Sequence, residues 1–146
     1  MDDSTALAAL DDLTRLVRRA SQELDRAIAT CLGESSVGRW HVLNAVAESE
    51  GLSMSQLVDV TLLNSATLTR LIDAMIADNL VLRKVDAADR RRVLVYPTRR
   101  GLLTRKVMSE ALTTAGLTRL VAGTAPLTKS LTALVDRIAV TEPAPL

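Results

Sequence analysis

The chain has 146 residues, enough for one domain with a sizeable core and too few for several. Apolar residues are 48% of it, yet Phe is absent and Trp and Tyr occur once each, so Leu, Val, Ile and Ala must fill the core, a composition that favours helices. The net charge of +1 by itself points to no charged partner, the single cysteine excludes an internal disulfide, and no stretch reads as a signal peptide or a membrane span.

Thr5 to Cys31 reads as one long helix. Leu10, Leu13, Val17, Ala20, Leu24, Ala27 or Ile28, and Cys31 recur at alternating steps of three and four, nearly a heptad, with Arg15, Arg18, Arg19 and Glu23 off the stripe. A stripe this long needs a partner to cover it. Gly33 and Gly38 are expected to break the chain before a helix from about Val37 to Ser49, with Trp40, Leu43 and Ala47 on one side and Val46 beside them. Trp40 is expected in the core, with contact to a ligand as the alternative. His41, beside it, has no partner in the sequence for a nucleophile or a metal site, and reads as a partly buried structural histidine.

Gly51-Leu52 leads into two short helices. Ser53 with Gln56 makes a capping box at the first, where Leu57, Val58 and Val60 form an apolar side. Thr61-Leu62-Leu63 is a turn, and Asn64 an N-cap for a second helix to about Asp78. Its core face is Leu68, Leu71, Ile72 and Met75; the opposite face carries Ala66, Arg70, Asp73 and Ala77, with Thr67 and Thr69 on its shoulders. Small and hydroxyl residues around one arginine can approach base edges closely. Asn79 suits a left-handed helix end. Leu80–Val85 and Arg92–Pro97 are runs rich in Val and Leu around a polar tip, and predict a hairpin whose outgoing strand ends at Pro97 or is an edge. A helix-turn-helix followed by a basic hairpin is a winged helix, with the second helix in the major groove and the wing on the backbone or in the minor groove.

Thr98 caps a further helix, with Arg99, Arg100, Arg105 and Lys106 in its first turns and a wide apolar side from Val107 to Val121, Gly116 marking a bend. Thr124-Ala125-Pro126 ends this helix and starts the last one, striped with Leu127, Leu131, Leu134, Val135 and Ile138, and the tail from Thr141 to Leu146 is expected to fray. Charge follows this order. Residues 1–59 carry 10 acidic and 5 basic side chains, whereas residues 60–106 carry 4 acidic and 10 basic. That localised basic third is the footprint of a phosphate-binding surface.

The run LTRLIDAMIADNLVLRKVDAADRRRVLVYPTRRG, from Leu68 to Gly101, closely resembles the signature of the MarR (multiple antibiotic resistance regulator) family of bacterial transcription factors. The signature is a TR-L-(V/I)-D helix, a GL-(V/I)-x-R entry to the wing, D-x-x-D-R-R at the tip and L-T-x-x-G beyond it. RWHVLNAV upstream resembles the family's second helix, so the match covers close to half of the chain. Three residues depart: Asn79 stands for the usual glycine, Pro97 for the usual leucine, and Arg92 extends the arginine pair to a triplet.

The expected fold is mainly α with a small β-hairpin wing: a dimerisation helix in residues 1–35, a winged helix-turn-helix in 36–97, and dimerisation helices in 98–146. The resemblance implies a ligand-responsive repressor, bound as a homodimer to a pseudo-palindromic DNA operator, in which Arg91 enters the minor groove with Asp89 positioning it beside Arg90. Ser65, Ala66, Thr67, Thr69 and Arg70 are the candidate groove residues; Arg70 could alternatively pair with Asp73 or Asp78. Leu13, Val17, Leu24, Ile28, Leu131 and Leu134 are the candidate dimer contacts. The resemblance also implies a small-molecule effector between the dimer helices and the winged helix. Some relatives sense oxidants through a cysteine near the N-terminus paired with tyrosines, which this chain lacks, so Cys31 reads as a small hydrophobe. No glycine-rich phosphate loop, HExxH or Cys/His cluster is present, so neither enzyme activity nor a metal or other cofactor is expected. A soluble cytoplasmic protein without a membrane partner is expected. The competing reading is a winged-helix protein–protein adaptor without specific DNA binding.

Overall fold

The computed structural model describes residues 2–141; beyond Thr141, the tail expected to fray lies outside the described residues. Helices α1 (Asp3–Leu32), α2 (Glu34–Ala47), α3 (Met54–Thr61) and α4 (Ser65–Ala77) precede an antiparallel hairpin of β1 (Val81–Val85) and β2 (Val93–Pro97). Helices α5 (Arg99–Thr114), α6 (Leu117–Leu120) and α7 (Ala125–Val140) follow. This is the mainly α fold with a hairpin wing that the sequence predicts.

Local chemistry sets the helix starts. At α3 both halves of the capping box form: Ser53 Oγ accepts from Gln56 N–H at 3.2 Å, and Gln56 Oε1 accepts from Ser53 N–H at 2.9 Å. Asn64 Oδ1 accepts from Thr67 N–H at 2.8 Å and starts α4. Each such cap stabilises its helix by about 1 kcal/mol. Asn79 takes φ 58°, the left-handed conformation expected of it. The start of α2 differs from expectation. Gly33 alone, at φ 91°, separates it from α1, and the helix runs from Glu34 to Ala47 with Gly38 inside it. A Cβ on Gly38 would stand 2.9 Å from Leu71 Cδ2, so this glycine is a packing position and not a break.

Helix α2 is the centre of the core. None of its residues from Ser36 to Ala47 is exposed, because other elements pack on all sides of it, so the one-sided stripe predicted from Trp40, Leu43 and Ala47 is too narrow. Val42, Leu43 and Val46 are buried among Leu57, Leu68, Ile72 and Met75 from the helix-turn-helix, Val81 and Val95 from the wing, and Met108 from α5. Each such side chain contributes about 1.5–3 kcal/mol by leaving water. Trp40, expected in the core, is half-buried at its edge, and Val60, expected on the apolar side of α3, is exposed.

The hairpin pairs Val81 with Pro97 at its root and Val85 with Val93 towards its tip. The outgoing strand ends at Pro97, which has no N–H to donate. The free edge of β2 is met by Leu52, which bonds Val95 in both directions at 3.1 and 2.7 Å. This bridge was not expected from Gly51-Leu52, and it fixes the wing to the entrance of the helix-turn-helix. Thr98 joins the parts. Its N–H donates to Leu80 O at 3.0 Å, its hydroxyl donates to Asn79 O at 2.6 Å, and Thr98 Oγ1 accepts from Gly101 N–H at 2.9 Å to cap α5.

Helix α5 lies so close to the α4–β1 connection that a Cβ on Gly101 would stand 2.0 Å from Leu80 O. A carbonyl on a packed backbone cannot swing away. Gly101→Ala should therefore lower stability by about 3 kcal/mol, at the upper end of overpacking costs, as read from urea unfolding at an unchanged m-value. A variant within 0.5 kcal/mol of wild type, roughly the ordinary surface-substitution range, would contradict this close approach.

The ends of the chain are organised differently. The helix expected to run to Thr124 stops at Thr114, Gly116 adopts φ 88°, and the short α6 follows. Every residue of α1 from Asp3 to Leu24 is exposed, and α7 is exposed apart from half-buried Leu131 and Leu134. Among the candidate dimer contacts, Leu13, Val17 and Leu24 stay open, whereas Ile28 is 9% exposed and packs inside the protomer.

Candidate nucleic-acid interface

Helix α4 is anchored through Leu68, Ile72 and Met75, which turns Ser65, Ala66, Thr69 and Arg70 to solvent. Thr67 is half-buried on the shoulder, its N–H held by the cap. The hydroxyl of exposed Thr69 donates to Ser65 O at 2.8 Å. Both alternative partners of Arg70 are taken. Asp73 binds Arg83 of β1 at 2.8 Å, and Asp78 binds Arg39 of α2 at 2.7 Å. Among the described residues Arg70 therefore makes no ion pair, on a face of otherwise small side chains.

The wing tip is a folded turn. Asp86 N–H donates to Arg92 O at 2.9 Å, and Arg92 N–H donates to Asp89 O at 3.0 Å. Asp86 Oδ1 accepts from Ala88 N–H at 3.0 Å. Asp89 Oδ1 accepts from Arg91 N–H at 3.1 Å and from Arg91 Nε at 3.3 Å. The carboxylate thus holds both the backbone and the guanidinium of Arg91, whose side chain is 91% exposed. At such exposure the ion pair contributes under about 1 kcal/mol to folding. Its effect is on direction, since it aims a cation at solvent. Arg90 and Arg92 are exposed beside it.

The family model for MarR proteins matches residues 36–92 of the chain. The matched span runs from α2 to the tip of the wing. Three solved structures have the same fold. BldR from Sulfolobus solfataricus is 22% identical over 97% of this chain and 99% of its own, at a TM-score of 0.68. A mutant MarR from E. coli, solved with operator DNA, is 22% identical over 89% of this chain and 95% of its own, at 0.66. BpsR from Bordetella bronchiseptica, whose DNA binding is regulated by 6-hydroxynicotinic acid, is 22% identical over 88% and 94%, also at 0.66. Searched by sequence, the curated proteins include no match.

Two features of this chain have a geometry that no sequence pattern marks. His41 has a partner after all: its Nε2 lies 2.8 Å from Asp25 Oδ1, joining α1 to α2. The residues stand sixteen positions apart on different helices, so no spacing signals the pair. The second is an apolar cleft of about 190 Å³ between α1, α2, α5 and α6. Leu24, Ile28, Trp40, Leu112, Leu117 and Val121 line it, with Thr118 as its polar group. Trp40 is the aromatic wall that the otherwise Phe-free chain supplies.

Proposed function

We infer that this protein is a DNA-binding transcriptional regulator, acting as a homodimer on a pseudo-palindromic operator. The observation that carries the reading is the pair of cations left for DNA: Arg70, without an ion pair among the described residues, on the small-residue face of α4, and Arg91 aimed outward by Asp89. Ser65, Ala66, Thr67 and Thr69 let α4 approach the major groove, and Arg90 and Arg91 place charge on the adjacent minor groove. Residues 36–97 are the reading head. Residues 1–35 and 98–146 supply the dimer through α1 and α7, whose apolar side chains the protomer leaves open. The dimer spaces two recognition helices for half-sites about 10 base pairs apart. Repression by occupying the operator in the cytoplasm completes the reading.

A small molecule in the cleft beside Trp40 is the proposed effector, and the regulation of BpsR by 6-hydroxynicotinic acid supports that part. Such a ligand would act by differential affinity for the DNA-competent arrangement of α1 against α2. Selection of sites from random DNA, followed by affinity across a salt series, tests the function. An inverted repeat with a steep salt slope is expected; retardation without sequence preference would overturn it. Control by oxidation is not part of this reading, because Cys31 is half-buried at the end of α1. Cys31→Ser should leave operator affinity and its response to mild peroxide unchanged in a gel shift. Release of wild type and not the variant would reverse that assignment.

A further inference from the structure

Between Gly33 and Thr98 the large apolar side chains left exposed are Val60, Leu62, Val85 and Val93. They occupy two places only. Val85 and Val93 face each other towards the wing tip, and Val60 with Leu62 brackets the turn between α3 and α4. Leu62 is the extreme case at 85% exposed. It also holds a left-handed backbone, φ 59° and ψ 17°, which costs a leucine about 1–2 kcal/mol and which Gly or Asn adopts freely. The same chain uses Asn for this conformation at position 79. The turn is fixed on both sides of the leucine. Leu62 N–H donates to Val58 O at 2.8 Å, and Leu63 packs against the core. Nothing in the fold therefore needs a large side chain at 62, and the backbone disfavours one.

We propose that Leu62 is a base-reading residue, contacting the 5-methyl group of a thymine at the edge of each half-site. The inference rests on the DNA-binding reading above. Position 62 is three residues before Ser65, hence within about 11 Å of it, so its exposed side chain stands near the N-terminal end of α4. The thymine methyl is the apolar group of the major groove, and a leucine, with no donor or acceptor, discriminates by that methyl alone. Seating one methyl group against it changes affinity roughly fourfold.

The test uses the full-length protein, an operator selected from random DNA, and duplexes in which thymines are replaced singly by deoxyuridine. Wild type should lose affinity roughly fourfold at one thymine in each half-site. Leu62→Asn keeps the left-handed turn, so its melting temperature should not fall. It should bind the unmodified operator more weakly and be indifferent to uracil at that same thymine. Identical deoxyuridine profiles for the two proteins would overturn the proposal. So would a Leu62→Asn protein with unchanged DNA affinity and an altered mass by light scattering, which would make the patch a contact between copies. Failure to select any site would overturn the DNA-binding reading itself, and this inference with it.

Discussion

Arg91→Ala should lower operator affinity roughly five- to hundredfold, the equivalent of about 1–3 kcal/mol for a groove-inserted arginine. Arg92→Ala, one residue away with the same charge, should do far less. The difference lies in what holds each side chain. Arg91 is bound at its N–H and at Nε by one carboxylate oxygen of Asp89, so part of the entropy of ordering it is already spent in the free protein. Arg92 uses its backbone, not its guanidinium, in the turn: its N–H goes to Asp89 O and its carbonyl to Asp86 N–H. A loosely held cation there makes at most a phosphate contact, whose loss weakens all sequences alike and lowers the salt slope by about one. Arg91→Ala should in addition blunt the preference for A/T-rich flanks, because arginine in a narrow minor groove reads the enhanced negative potential there. Affinities of both variants on operators with A/T-rich and G/C-rich flanks decide the matter. Equal losses, with flank preference intact, would mean that the tip acts as diffuse charge.

The winged helix was legible in the sequence because its signals are local. Ser53, Asn64 and Asn79 act on backbone groups within a few residues, and the β-rich runs around Asp86–Arg91 differ in kind from the helical periodicity before them. Pattern failed where contacts come from far along the chain. Helix α2 is packed all round, so no single stripe marks its core face, and Trp40 was placed too deep. The Leu52 bridge to Val95 and the ion pairs of Arg39 and Arg83 join elements that meet only in the fold. Those two pairs also answered the question left open for Arg70: its sequence neighbours Asp73 and Asp78 were available on spacing, and distant arginines occupy them. Glycines misled in both directions. Gly38 reads as a breaker and is a packing position, while Gly116 reads as a bend and is a break.

The heptad-like stripe of α1 combined two different roles, and the largest expected effect separates them. Leu13 and Ile28 both lie on it. Leu13 is open to solvent in the protomer, on a stretch of helix with no buried residue before Leu24, whereas Ile28 is buried beside the cleft that Trp40 and Leu112 share. A charge at position 13 stays in water in the isolated protomer and costs it only the lower helix propensity of aspartate, so Leu13→Asp should keep the helical circular-dichroism signal of a folded chain. If a second copy covers the stripe, that aspartate is buried unpaired at the seam, at a cost of several kcal/mol to association. Leu13→Asp should then sediment as a monomer. Two reading heads joined in a dimer bind as a bivalent unit, and separating them should weaken operator binding by about 10²–10⁴-fold. Ile28→Asp should fail differently, by unfolding the protomer at any concentration, because its charge is buried within one chain. Sedimentation and thermal melting of the two variants distinguish these outcomes. A Leu13→Asp protein that remains dimeric and binds its operator normally would remove α1 from the dimer seam, and would leave its open leucines without the role assigned to them.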